Sequence, residues 1–121
     1  MSWKTQKFQG IGVQRVTFQN GGALTAADVG KACNIDGATG DLIIGSTDTL
    51  LGRIEQVADD DVAVAVQGFL EFDYTGAQPT RGTIQEFTVE SGGEVQVGVG
   101  SRQAYVIDVD APNTKVTLML L

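Results

Sequence analysis

The sequence predicts an all-β fold: a small β-barrel or β-sandwich of about eight to ten short strands, with one short helical turn near residues 25–29 and an extended N-terminal arm. Three observations point there. Val62, Val64 and Val66 alternate with Ala63, Ala65 and Gln67, the period-two pattern of a strand with one bulky and one small face. Short apolar runs recur between glycine turns, with 16 glycines and only 2 prolines among 121 residues. The one helix-start signal, at Thr25, is stopped almost at once by Gly30. This length suits a single domain, which divides here into an arm, residues 1–12, and one β-rich body, residues 13–121.

The arm carries Trp3, Phe8 and Ile11 among polar residues and closes on Gly10 and Gly12. Its spacing is neither helical nor alternating, so it reads as extended. Two destinations are open to it: a frayed end, or a partner surface on which Trp3, Lys4, Lys7 and Phe8 anchor the chain. Val13 to Gln19 is the first strand, followed by the turn Asn20-Gly21-Gly22. Thr25 is placed to cap a helical turn, with Asp28 three residues on as its capping-box partner. Lys31 to Ile35 and Asp41 to Ile44 are short strands around the turn from Gly37 to Gly40. Thr49 to Val57 reads as one strand with Gly52 inside it, and Ala58-Asp59-Asp60-Asp61 as the turn after it.

From Val62 the same parity runs on through Leu70, Phe72 and Tyr74. A straight strand over these 13 residues would be about 40 Å long, more than a small domain holds. Gly68 is therefore the expected bend. After a turn-rich loop, Thr75 to Gly82, the strands Ile84 to Glu90 and Glu94 to Val99 flank the hairpin turn Ser91-Gly92-Gly93. Gln103 to Asp108 places Tyr105 and Ile107 on one face and Ala104 and Val106 on the other. Asp110 to Thr114 is a turn containing Pro112 and Asn113, and Val116 to Leu121 closes the sequence. The last four residues are apolar on both faces, which assigns them to the core or to a neighbouring subunit. The candidate oligomer interface is Phe72, Tyr74, Leu118, Leu120 and Leu121, with the core as the alternative destination.

Chemistry is sparse. The chain has no histidine, which removes the commonest general base and zinc ligand. Cys33 is the only cysteine and reads as a buried filler, so neither a disulfide nor a thiolate metal cluster is expected. Asp59-Asp60-Asp61 lacks the alternating ligands, glycine and terminal glutamate of a calcium loop and reads as a solvated turn. Gly98-Val99-Gly100 and Gly10-Ile11-Gly12 have no third glycine in register and no βαβ unit after them, so they are turn residues. No catalytic residue, cofactor or metal ligand is expected, and the chain is not read as an enzyme. The net charge of −7 is uneven: +3 through residue 27 and −10 beyond it. An acidic body argues against nucleic acid as a partner, and no apolar run reaches membrane-spanning length. The basic leader gives the molecule a polarity that would orient it on a partner.

Three segments in order carry a family resemblance. They are Ala27-Asp28-Val29-Gly30-Lys31-Ala32; Leu51-Gly52-Arg53-Ile54-Glu55-Gln56-Val57 with Val62-Ala63-Val64-Ala65-Val66-Gln67-Gly68; and Tyr105-Val106-Ile107-Asp108-Val109-Asp110 leading to Val116-Thr117-Leu118. Together they resemble the small capsid decoration, or cement, proteins of tailed bacteriophages. The resemblance implies a β-rich structural protein of the virion, made in the host cytoplasm and bound outside an assembled head. Such proteins, often trimers, reinforce contacts between major capsid subunits and have no active site. It implies the major capsid protein and other copies of this chain as partners, and an arm reaching onto the capsid. Two other classes stay open: a phage tail or baseplate component, which should form hexameric rings, and a small ligand-binding barrel, which needs a lined cavity.

Overall fold

The computed structural model describes residues 13–20, 24–45, 48–99 and 101–121. Among these the chain forms ten strands: β1 (Gln14–Gln19), β2 (Ala32–Ile35), β3 (Leu42–Ile43), β4 (Asp48–Thr49), β5 (Gly52–Val57), β6 (Asp61–Asp73), β7 (Ile84–Val89), β8 (Val95–Val97), β9 (Arg102–Asp110) and β10 (Lys115–Leu120). The fold is all-β, as the alternation and glycine turns predict. Two single 3-10 turns interrupt it, at Ala26–Asp28 and Ala111–Asn113. The first carries the expected capping box. Thr25 Oγ1 accepts from the Ala27 N–H at 3.3 Å, and Asp28 Oδ2 accepts from the Thr25 N–H at 2.9 Å. The sequence predicts the second only as a turn; Pro112 lies in its first positions and Thr114, at φ 51°, ends it in the left-handed region.

β6 organises the molecule. Its first half pairs with β1 and β5, and its second half pairs with β10. The division falls at Gly68, whose φ of 105° is strained for any residue with a Cβ. The expected bend is therefore where one strand passes from one sheet into another. The first sheet runs β1-β6-β5-β2-β3, and a bridge from Asn20 to Leu42 curls its ends toward each other. The second runs β6-β10-β9-β7, with β8 and β4 also on β7, and a bridge from Tyr74 to Val95 curls it likewise.

Each curled sheet wraps its own core. Leu24, Cys33, Leu42, Ile54, Val62 and Val64 fill the first. Phe72, Phe87, Val106, Val116, Leu118 and Leu120 dominate the second, which reaches across to Ala32, Leu50 and Ala65. Small residues mark that meeting point. A Cβ on Gly52 would stand 2.1 Å from the Ala65 carbonyl oxygen, so only glycine lets β5 start this close to β6. This close approach also corrects the single strand expected from Thr49 to Val57. The chain pairs with β7 at Asp48–Thr49, turns through Leu50 and Leu51, and joins the first sheet from Gly52.

Arg102 closes the junction. Its Nη1 donates to the Leu51 carbonyl at 2.8 Å, Nη2 to Val66 at 2.8 Å and Nε to Leu121 at 3.0 Å. The guanidinium thus ties together carbonyls from three segments, and its burial pulls its pKa below the ordinary value.

Candidate functional site

Sequence reasoning placed its partner contacts at Trp3, Lys4, Lys7 and Phe8, all of which lie outside the described residues. It placed a candidate oligomer interface at Phe72, Tyr74, Leu118, Leu120 and Leu121. Four of these five take the alternative destination, the core of the single chain. Phe72, Tyr74, Leu118 and Leu120 are at most 8 % exposed within the single chain. Even parity on β6 and β10 points them into the second sheet's core, so their apolar area is already used in folding the protomer. Leu121 alone faces outward, at 48 % exposure.

The same parity builds a different surface on the outer face of the second sheet. Register places Phe69 opposite Met119, Met119 opposite Tyr105, and Tyr105 opposite Ile84. Residues directly opposite in an antiparallel ladder share a face, so these four side chains form one apolar row across β6, β10, β9 and β7. Ile84 is 55 % exposed and Tyr105 37 %, while Phe69 and Met119 are half-buried. Sequence reading had separated Tyr105 from Ala104 and Val106. It missed the row because the alignment depends on pairings distant in sequence and on a bulge between Thr117 and Leu118.

Polar rows flank the apolar one. On one side lie Glu71, Thr117 and Asp108, then Asp73, Lys115 and Asp110; on the other lie Gln103 and Glu86. Arg81 pairs with Asp108 at 3.2 Å, and Lys115 with Asp73 at 2.6 Å. The hydrogen bond to Asp73 raises the Lys115 pKa, so that amine stays charged. Five carboxylates and two cations share this face, leaving it negative. Beyond Ile84 the row opens into a groove of about 470 Å³ between Gln85, Glu86, Val97 and Gln103, with Val99 projecting from its rim at 99 % exposure.

The sites considered for chemistry are accounted for by packing. Cys33 is fully buried, donates weakly to the Gly52 carbonyl, and is pushed up to about 12 by desolvation, which keeps its sulfur in the unreactive thiol form. The buried amide of Asn34 accepts from the Gly45 N–H at 2.8 Å and donates to Asp48 at 3.1 Å. Asp59 and Asp60 are exposed in the turn before β6 and Asp61 is exposed as its first residue, where the Ala58 N–H donates to the Asp61 carbonyl. Among the described residues no cluster of three metal-ligating side chains forms, and no helix is long and apolar enough to cross a membrane.

In comparison with known proteins, no family model, curated protein or solved structure matches the chain.

Proposed function

We propose that this chain is a structural protein of a tailed-bacteriophage virion, a decoration or cement protein. It binds the outside of an assembled head and reinforces contacts between major capsid subunits, as one of three copies around each site. The observation that carries the reading is the apolar row on the second sheet. Four aligned apolar side chains on an otherwise charged face suit cover by protein rather than by water. The resemblance of the three β segments supplies the class of partner. The arm residues Trp3, Lys4, Lys7 and Phe8 supply the shell contact, with two aromatic anchors and two cations next to an acidic body. Many copies on one lattice need only modest affinity each.

Co-sedimentation with assembled shells and with free capsid subunits tests the reading. Binding to shells but not to free subunits is expected, and deletion of Met1–Gly10 should weaken it substantially. Lys4→Glu with Lys7→Glu should also weaken it, by an amount that shrinks as salt rises. Native mass spectrometry should give a trimer, free or shell-bound. A stable hexameric ring would move the protein to the tail, and equal binding to free subunits would overturn the decoration role.

A further inference from the structure

We infer that Asp36-Gly37, in the turn between β2 and β3, is a site of spontaneous succinimide formation in the folded protein, and that folding shields the pair Asn20-Gly21 from the same reaction. The chain has one Asp followed by glycine and one Asn followed by glycine. At either, the backbone nitrogen of the glycine attacks Cγ of the residue before it and closes a cyclic imide. At Asp36 the protonated carboxyl loses water as the N–Cγ bond forms. Hydrolysis returns that water and cleaves either carbonyl–nitrogen bond of the ring, so the chain reopens as aspartate or as isoaspartate with its mass unchanged. At Asn20 the leaving group is ammonia, and the later hydrolysis consumes a water. The inference does not rest on the shell reading.

Three observations separate the two pairs. The first is the pose of the side chain. Asp36 Oδ1 accepts from the Ala38 N–H at 2.9 Å, closing a ring that contains the Gly37 peptide and folds the carboxyl back over the nitrogen that must attack it. The same N–H polarises the oxygen on which charge grows during the attack. The second is access. Gly37 through Gly40 are exposed, and the Gly37 N–H makes no backbone hydrogen bond among the described residues. No atom lies within 4 Å of where a Cβ would stand on Gly37. The turn is held around the reacting pair instead: the Asp36 N–H donates to the Asp41 carbonyl and the Gly40 N–H to the Asp36 carbonyl, both at 2.8 Å. The third is the contrast at Asn20. Its Nδ2, the atom that would leave, donates to the Leu24 carbonyl at 3.1 Å and the Ala58 carbonyl at 3.2 Å. Its backbone N–H donates to the Asp60 carbonyl at 2.8 Å. Ring closure at Asn20 must first break the side-chain bonds, so it waits on local opening of the first sheet.

Trypsin cuts after Arg15, Lys31 and Arg53, so the two pairs fall in separate peptides, residues 16–31 and 32–53. The full chain is incubated at neutral pH, folded and, in parallel, unfolded in guanidinium chloride. Electron-transfer fragmentation of the peptides then measures isoaspartate at each site over time. Isoaspartate at position 36 should form in the folded chain within about threefold of its unfolded rate, whereas folding should slow conversion of Asn20 about tenfold or more. Gly37 has no left-handed φ and open space at its Cβ position, so Gly37→Ala should keep the native far-ultraviolet dichroism. The added methyl group crowds the attacking nitrogen and should cut the folded rate at Asp36 about tenfold or more. Folding that slows Asp36 as strongly as Asn20 would overturn the inference, as would a Gly37→Ala chain that reacts as fast as the parent.

Discussion

Replacing Arg102 by methionine keeps most of the side-chain volume at the junction between the sheets but removes every donor. Three carbonyls lose their partner: Leu51 and Val66 at 2.8 Å and Leu121 at 3.0 Å. The Leu51 and Val66 bonds are partly buried, and a hydrogen bond to a charged donor contributes about 1.5–3 kcal/mol net. The Leu121 bond is exposed and contributes little, because water replaces it. The methionine recovers some apolar contact and is spared the desolvation of a cation, which offsets part of the loss. A net destabilisation of about 3 kcal/mol follows, a large share of the stability of a domain this size. Near the melting temperature that corresponds to a fall of roughly 10–15 °C. Thermal and urea melts would measure it, and Arg102→Lys, which keeps the charge without the planar fork, should fall between the two. A loss below about 1 kcal/mol would refute the idea that this guanidinium ties the sheets together.

Val64→Asp sets an unpaired carboxylate into the first core, where Val64 is fully buried, and should cost at least about 3 kcal/mol. Asp60→Asn in the exposed turn before β6 should change stability by less than about 0.5 kcal/mol, and equal effects in melts would mean the register of β6 is wrong. The hydrogen bond from the Thr25 N–H, and then Lys31, hold the Asp28 pKa below its ordinary 3.8. Its stabilisation is therefore complete above that value and is lost as pH falls through the lower folded value. Asp28→Asn should cost about 1 kcal/mol at neutral pH and flatten that acid-range loss, read from melts at stepped pH.

What the sequence reveals divides by the range of the interaction. The Thr25–Asp28 box, the Ser91-Gly92-Gly93 hairpin and the bend at Gly68 were legible because each depends on residues close along the chain. Gly68 is the clearest case: alternation on both sides demanded one strand, and its length demanded a corner. Non-local geometry was hidden. Nothing near Gly52 announces that β5 begins against the Ala65 carbonyl, so the split from β4 was missed. Nothing near Arg102 shows that three distant carbonyls converge on it. The apolar tail was legible as something to be covered, yet only the pairing of β10 between β6 and β9 shows that the protomer covers Leu118 and Leu120 itself. The outer row was half legible: the parity of Tyr105 and Met119 could be read, but their alignment with Ile84 and Phe69 required the register.

The row makes a prediction that separates folding from partner binding. Folding does not demand apolar side chains at Ile84 or Tyr105, because both face away from the core that Ala104 and Val106 fill. Ile84→Asp and Tyr105→Asp should therefore each change stability by less than about 0.5 kcal/mol in melts. If protein covers the row in the assembled shell, each variant sets a carboxylate into an apolar contact and should weaken shell binding about tenfold or more. Binding isotherms of both variants on one shell preparation measure the loss. Unchanged binding of both would mean that the shell does not touch this row, and the reading of the row as a covered surface would fall.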